Sequence, residues 1–149
     1  MTFFAEENFR LYAPLIIWIG GIFYFSSNKG SMTRAAPYFA PLLNLLFPRA
    51  HGEHLKIYYR VARKLSHFFG YAVLALLASI VFYNSSLILA ARFWHVCAFA
   101  LVLTVAAADE IRQSFSPERV GSLSDVALDC AGGLTAIFLF WLFVAARGV

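Results

Sequence analysis

The chain has 149 residues, of which 61% are hydrophobic, 17% aromatic and 13% charged, with a formal net charge of +4 and a mean hydropathy of +0.71. Soluble domains carry about a quarter charged residues, so this composition excludes an ordinary soluble fold, and the length allows a single transmembrane domain over residues 1–149. The positive charge does not point to nucleic acid, because the basic residues flank hydrophobic stretches and form no aromatic-interleaved patch.

Four stretches are apolar enough to cross a bilayer, at about 11–27, 65–83, 93–115 and 123–145. A spanning helix needs about 20 residues, so the first stretch is short and is expected to extend toward Asn8. Glu6 and Glu7 spoil the basic region of a signal peptide and no small-residue cleavage site follows, which predicts an uncleaved anchor. The turn formers Ser26-Ser27-Asn28-Lys29-Gly30-Ser31 end it. The connection 28–64 contains Pro37, Pro41 and Pro48 within an apolar run too short to span, and predicts an interfacial or re-entrant segment. Within it, Leu55, Tyr58, Tyr59, Ala62 and Leu65 recur at helical spacing. They predict an amphipathic helix able to run into the second span, with Arg49, Lys56, Arg60 and Arg63 on its wet face.

The third and fourth spans are joined by the tight loop 116–122, which places Arg119 at the mouth of the bundle. Ser122-Leu123-Ser124-Asp125 fits a capping box at the start of the fourth helix. Ala131, Gly132, Gly133 and Ala136 offer the small surface that lets membrane helices approach closely. Cys97 and Cys130 fall in separate spans, at depths differing by about 15 Å at 1.5 Å per residue, which favours buried packing over a disulfide. The expected fold is all-α: an integral membrane four-helix bundle with an interfacial amphipathic segment between helices 1 and 2.

The spans carry acids and bases, which are costly in hydrocarbon and usually face a bundle interior. Lys64 and His67 open the second span, Asp109 and Glu110 lie near the end of the third, and Asp125 and Asp129 open the fourth. In an up-and-down bundle these three ends share one leaflet. Lys64, His67 and Tyr71 form one stripe, as do Asp125, Asp129 and Gly132. Asp109 and Gln113 share a face, with Glu110 turned about 100° away.

Arg63-Lys64-x-x-His67-Phe68-x-x-Tyr71, then Asp109-Glu110-x-x-Gln113-x-Phe115-x-Pro117-x-Arg119, then Asp125-x-x-x-Asp129-x-x-Gly132, resembles the VanZ-like membrane protein family. Ser26-Ser27-x-x-Gly30-Ser31 is similar to the family's turn after the first span. Two departures stand out: Gly70 where many members carry an acid, and Glu118 where a glycine usually precedes the arginine. The resemblance implies a small polytopic protein of the bacterial cytoplasmic membrane with a shared polar site. Its founding member is tied to low-level teicoplanin resistance, a cell-envelope association that does not by itself give this chain a task.

Three classes of function use these residues differently. As an enzyme, crowded carboxylates divide acid and base roles among Asp109, Glu110 and Asp129, with His67 as shuttle. Lys64, Tyr71, Gln113, Arg119 and Asp125 then bind an amphipathic or lipid-linked ligand, the basic pair taking a phosphate. As a scaffold, Arg63, Lys64, Arg112 and Arg119 balance the four acids in an ion-pair network without chemistry. As a binding or transport protein, the pocket recognises a headgroup, peptide or antibiotic, and a transporter would need a homodimer. No metal motif, cofactor fingerprint or nucleophile motif is present, so no metal and no cofactor are expected.

Orientation rests on two opposed arguments. Lys29, Arg34, Arg49, Lys56, Arg60, Arg63, Lys64, Arg112 and Arg119 fall on the side of the polar site, against Arg10, Arg92 and Arg147 opposite, which places the site at the cytoplasmic face. Setting aside the four ion-pair candidates makes the counts nearly even, five against three, and the resemblance tilts the expectation to an extracytoplasmic site.

Overall fold

The computed structural model describes residues 2–27, 53–115 and 122–148, together with Pro41 and Leu45. Among these residues the secondary structure is helical, in the order α1 (Thr2–Phe25), α2 (Glu53–Tyr83), α3 (Ile88–Arg92), α4 (Trp94–Ser114) and α5 (Leu123–Ala146). Ile57–Tyr83, Trp94–Ser114 and Leu123–Ala146 are long and apolar enough to cross a membrane, and Phe9–Phe25 adds a shorter apolar helix. The architecture is the expected all-α membrane bundle, with the short first span read from the sequence forming the C-terminal part of a longer helix.

The second span differs from the expectation in length. Its helix begins at Glu53 instead of near residue 65, so the amphipathic stretch and the span form one helix of 31 residues. At 1.5 Å per residue that is about 46 Å, well beyond the ~30 Å hydrocarbon core. Hydropathy registers only the apolar part, whereas the helical spacing of Tyr58, Tyr59, Ala62 and Leu65 carries the backbone across the boundary. The remainder of the interfacial segment lies outside the described residues, apart from the helical positions Pro41 and Leu45.

The central helix is α2, packed most extensively on α5, then on α4, and also against α1. Its Tyr71, Leu74, Ala75, Ala78 and Val81 meet Ala98, Val102, Val105 and Ala106 of α4, Ile137 of α5 and Leu15 of α1. Small residues allow this, because packing within lipid relies on close van der Waals contact. A Cβ on Gly132 would overlap the Phe68 backbone carbonyl, and one on Gly133 would sit 2.8 Å from Cγ1 of Val102. The glycines therefore mark where α5 touches α2 and α4. At the opposite end, Tyr83, Trp94 and Phe140 close the bundle with three edge-on ring contacts of 5.2–6.2 Å. The outer surface is apolar, with Ile17, Phe69, Phe138, Leu139 and Trp141 all exposed, as a lipid-facing wall requires.

Candidate functional site

The polar residues gather where the end of α1, the middle of α2, the end of α4 and the start of α5 meet. They form three groups, each with its own hydrogen-bonding character.

The first group is centred on Asp109, whose side chain is 1% exposed. Asp109 and Gln113 share a face of α4, and Nε2 of Gln113 donates to Oδ2 of Asp109 at 2.7 Å. Arg112, one turn on, donates to Oδ1 at 2.8 Å. The third donor comes from another helix: Ser26, immediately after α1, gives its hydroxyl to Oδ2 at 2.5 Å. The Ser26 oxygen in turn accepts from Gln113 at 2.8 Å and from Arg112 at 3.1 Å. The Arg112 guanidinium also lies over the Phe23 ring at 5.7 Å. These bonds fasten α1 to α4 and engage both oxygens of the carboxylate.

The second group, His67, Tyr71 and Asp129, is only partly engaged. Nδ1 of His67 stands 3.4 Å from Oδ1 of Asp129, with side-chain exposures of 17% and 1%. The contact lacks hydrogen-bond alignment, so His67 Nδ1 and both Asp129 oxygens are buried without a hydrogen bond, as is the Tyr71 hydroxyl. The imidazole lies nearly parallel to the Tyr71 ring, with centroids 6.4 Å apart. Buried polar atoms without partners are uncommon and call for an explanation.

The third group binds α4 to α5. Glu110, turned away from Asp109 by helical phase, accepts the Ser122 backbone N–H at 2.7 Å. The capping box expected from the sequence is therefore not formed. Ser122 makes no side-chain cap bond, its hydroxyl pairs with Ser124 at 2.6 Å, and its N–H is taken by an acid of the preceding helix. Asp125 instead faces Arg63 across the α2–α5 interface at 3.6 Å.

Beside the second group runs a groove of about 570 Å³ between α1 and α2. Ile17, Trp18, Phe25, Phe69 and Val73 give it apolar walls, and Ser26, Ser66, His67 and Tyr71 also line it, with the Tyr71 hydroxyl and His67 Nδ1 buried behind the lining. The Trp18 indole N–H is occupied, donating to the Gly70 carbonyl at 2.9 Å. The two helices run antiparallel here, since Trp18 meets Gly70 while Ser26 and Ser66 line the groove together.

Of the residues singled out in the sequence, His67, Tyr71 and Asp129 come together, Asp109 and Gln113 form a separate cluster, and Glu110 and Asp125 support the α5 entry. Lys64 is exposed and forms no ion pair among the described residues. It shares the stripe of His67 and Tyr71 but lies a turn nearer the helix start. Arg119 lies outside the described residues. Cys97 and Cys130 are free thiols. No group of three or more His, Cys, Asp or Glu side chains able to hold a metal ion occurs among the described residues. Ser26 and Trp18 were not singled out as polar partners: a serine in a turn and a tryptophan in a span carry no pairing signal until the helices are docked.

No curated protein and no solved structure matches the chain. The VanZ/LLP1 family matches it over residues 11–144, which takes in α1 from Leu11, all of α2, α3 and α4, and nearly all of α5. This multi-pass helical membrane protein belongs to the VanZ/LLP1 family.

Proposed function

We propose that the protein binds an amphipathic, lipid-linked or other cell-envelope molecule from within a bacterial cytoplasmic membrane, with the polar head beside His67, Tyr71 and Asp129. The observation that carries this reading is the buried Tyr71 hydroxyl and Asp129 Oδ2, which lack a hydrogen-bond partner, behind a His67–Asp129 pair held at only 3.4 Å, with His67 and Tyr71 lining a groove. A group left unpaired in a low-dielectric interior costs about 1–3 kcal/mol, and a ligand head would supply the missing partners. Asp129 behind His67 is also the arrangement of a base held by an orienting acid, so proton transfer to or from the head is chemistry within reach. Asp109 and Glu110 serve this reading as fasteners of α1, α4 and α5. The family's association with teicoplanin resistance accords with a cell-envelope ligand, and resistance itself is not proposed as this chain's task.

A scaffold reading is favoured by a different observation, the engaged Asp109 carboxylate with Ser26, Arg112 and Gln113. Mass spectrometry of lipids retained by the protein in nanodiscs made from its own membrane separates the two readings. Binding predicts one lipid class enriched over the surrounding membrane and lost in Asp129→Asn and His67→Gln, with thermal stability maintained. Unchanged retention together with a lower melting temperature would favour the scaffold.

A further inference from the structure

Glycine occupies two opposite kinds of place in this bundle. At Gly132 and Gly133 an added Cβ would collide with a neighbouring helix, whereas at Gly21 on α1 and Gly70 on α2 it would meet nothing within 4 Å. Both of the latter residues line the groove between these helices. Glycine inside a helix costs about 1 kcal/mol relative to alanine, and here no backbone approach requires it. What Gly21 and Gly70 provide is width.

We propose that the α1–α2 groove holds one hydrocarbon chain of an anionic membrane phospholipid, entering sideways from the bilayer, and that Gly21 and Gly70 set which chains fit. The proposal rests on the head-binding reading given above and adds the chain site. Its occupant follows from the lining. Ile17, Phe25 and Phe69 are exposed apolar residues on the groove and on the lipid-facing surface alike, so the groove is continuous with the bilayer. The Trp18 N–H is already bonded to Gly70, which leaves that wall without a free donor. Trp18 and Ser26 are eight residues apart, giving a length of about 12 Å at 1.5 Å per residue. The volume of about 570 Å³ is that of a ligand site. Polarity rises toward Ser26, Ser66 and His67, and the exposed Lys64 lies a turn nearer the start of α2, where a phosphate would be met, next to Arg63, which pairs with Asp125 at 3.6 Å.

A chain moving from lipid into this groove gains no hydrophobic driving force, since both surroundings are apolar. The head therefore supplies the affinity and the groove acts as a steric filter. Filling the groove should expel the ligand without touching the polar residues.

The test uses the full chain in detergent, titrated with dipalmitoyl phosphatidylglycerol and followed by native mass spectrometry. The chain as it stands should retain one lipid more tightly than any further ones. Gly21→Leu and Gly70→Leu should each weaken that first lipid about tenfold or more. Gly20→Leu, at a position equally open but exposed and outside the groove, should leave it unchanged. The two groove variants act from opposite walls, so if one fails to fold by circular dichroism the other decides. Retention in the folded groove variants, or equal loss in Gly20→Leu, overturns the chain site. Should His67→Gln lose the lipid while the groove variants keep it, the head-binding reading survives and the chain site falls. If the unaltered chain holds no lipid preferentially, both fall.

Discussion

The Ser26 hydroxyl, one residue beyond α1, donates to Oδ2 of Asp109 on α4 at 2.5 Å, joining positions 83 apart in the chain. Arg112 and Gln113 complete the cluster, so this buried acid is held by three side-chain donors. It joins two helices that otherwise meet chiefly through α2.

Replacing Asp109 by alanine should therefore lower stability. Ser26 and Gln113 lose a buried acceptor at about 1–3 kcal/mol for each unpaired donor, although they can partly re-pair with each other. Arg112, whose side chain is 39% exposed, can regain water and contributes less. Thermal unfolding in detergent should show a clear drop for Asp109→Ala and a smaller one for Asp109→Asn, which retains a carbonyl acceptor. Stability equal to the unaltered chain in both would show that the cluster does not tie the helices.

Glu110 offers a second, milder case. Its Oε2 accepts the Ser122 N–H in place of a residue within α5, and loss of such a terminal bond costs about 0.5–2 kcal/mol. Glu110→Ala should show that loss, while Glu110→Gln, still an acceptor, should stay close to the unaltered chain. Amide exchange at Ser122 reports the same bond directly and should accelerate only in the alanine variant.

The glycines predict opposite signs for one substitution. Gly132→Ala places a methyl group against the Phe68 carbonyl, a backbone atom that cannot swing aside, and overpacking of this kind costs about 1–3 kcal/mol. At Gly133 the neighbour is the Val102 side chain, which can turn, so the penalty should be smaller. Alanine at Gly20, Gly21 or Gly70 meets open space and should raise stability by up to about 1 kcal/mol through helix propensity. Melting temperatures across these five variants settle the order.

The helix sequence also predicts topology. Four membrane crossings place Ser86 and Gly148 on one side and Ser27 on the other, so cysteines introduced at these positions, in a chain lacking Cys97 and Cys130, should react with an impermeant thiol reagent accordingly. Ser86 and Gly148 labelling from opposite sides would break the arrangement.

Much of the bundle was legible in the sequence because hydropathy and helical phase are local properties. The apolar stretches marked three spans and the shorter first helix, and the spacing of Asp109 with Gln113 placed both on one face, as their 2.7 Å bond shows. The small residues of the fourth span likewise marked the crossings at Phe68 and Val102. What the sequence could not show depends on docking. The share of α2 that precedes the apolar window, the partnership of Ser26 with Asp109, and the use of Glu110 in place of a capping box are decided by neighbouring helices. Helical phase likewise gives the end of the bundle at which the charges lie but not which of them bond to one another, and Lys64, a turn nearer the helix start, remains exposed.

The central claim is that His67, Tyr71 and Asp129 receive the head of an amphipathic ligand whose chain lies between α1 and α2. A crystal structure grown from a lipidic mesophase containing the native membrane lipids tests it most directly. The account predicts elongated density between Gly21 and Gly70, with its polar end within hydrogen-bond distance of the His67 ring or the Tyr71 hydroxyl. Density confined to the outer surface, with His67, Tyr71 and Asp129 bonded only to one another, would contradict it.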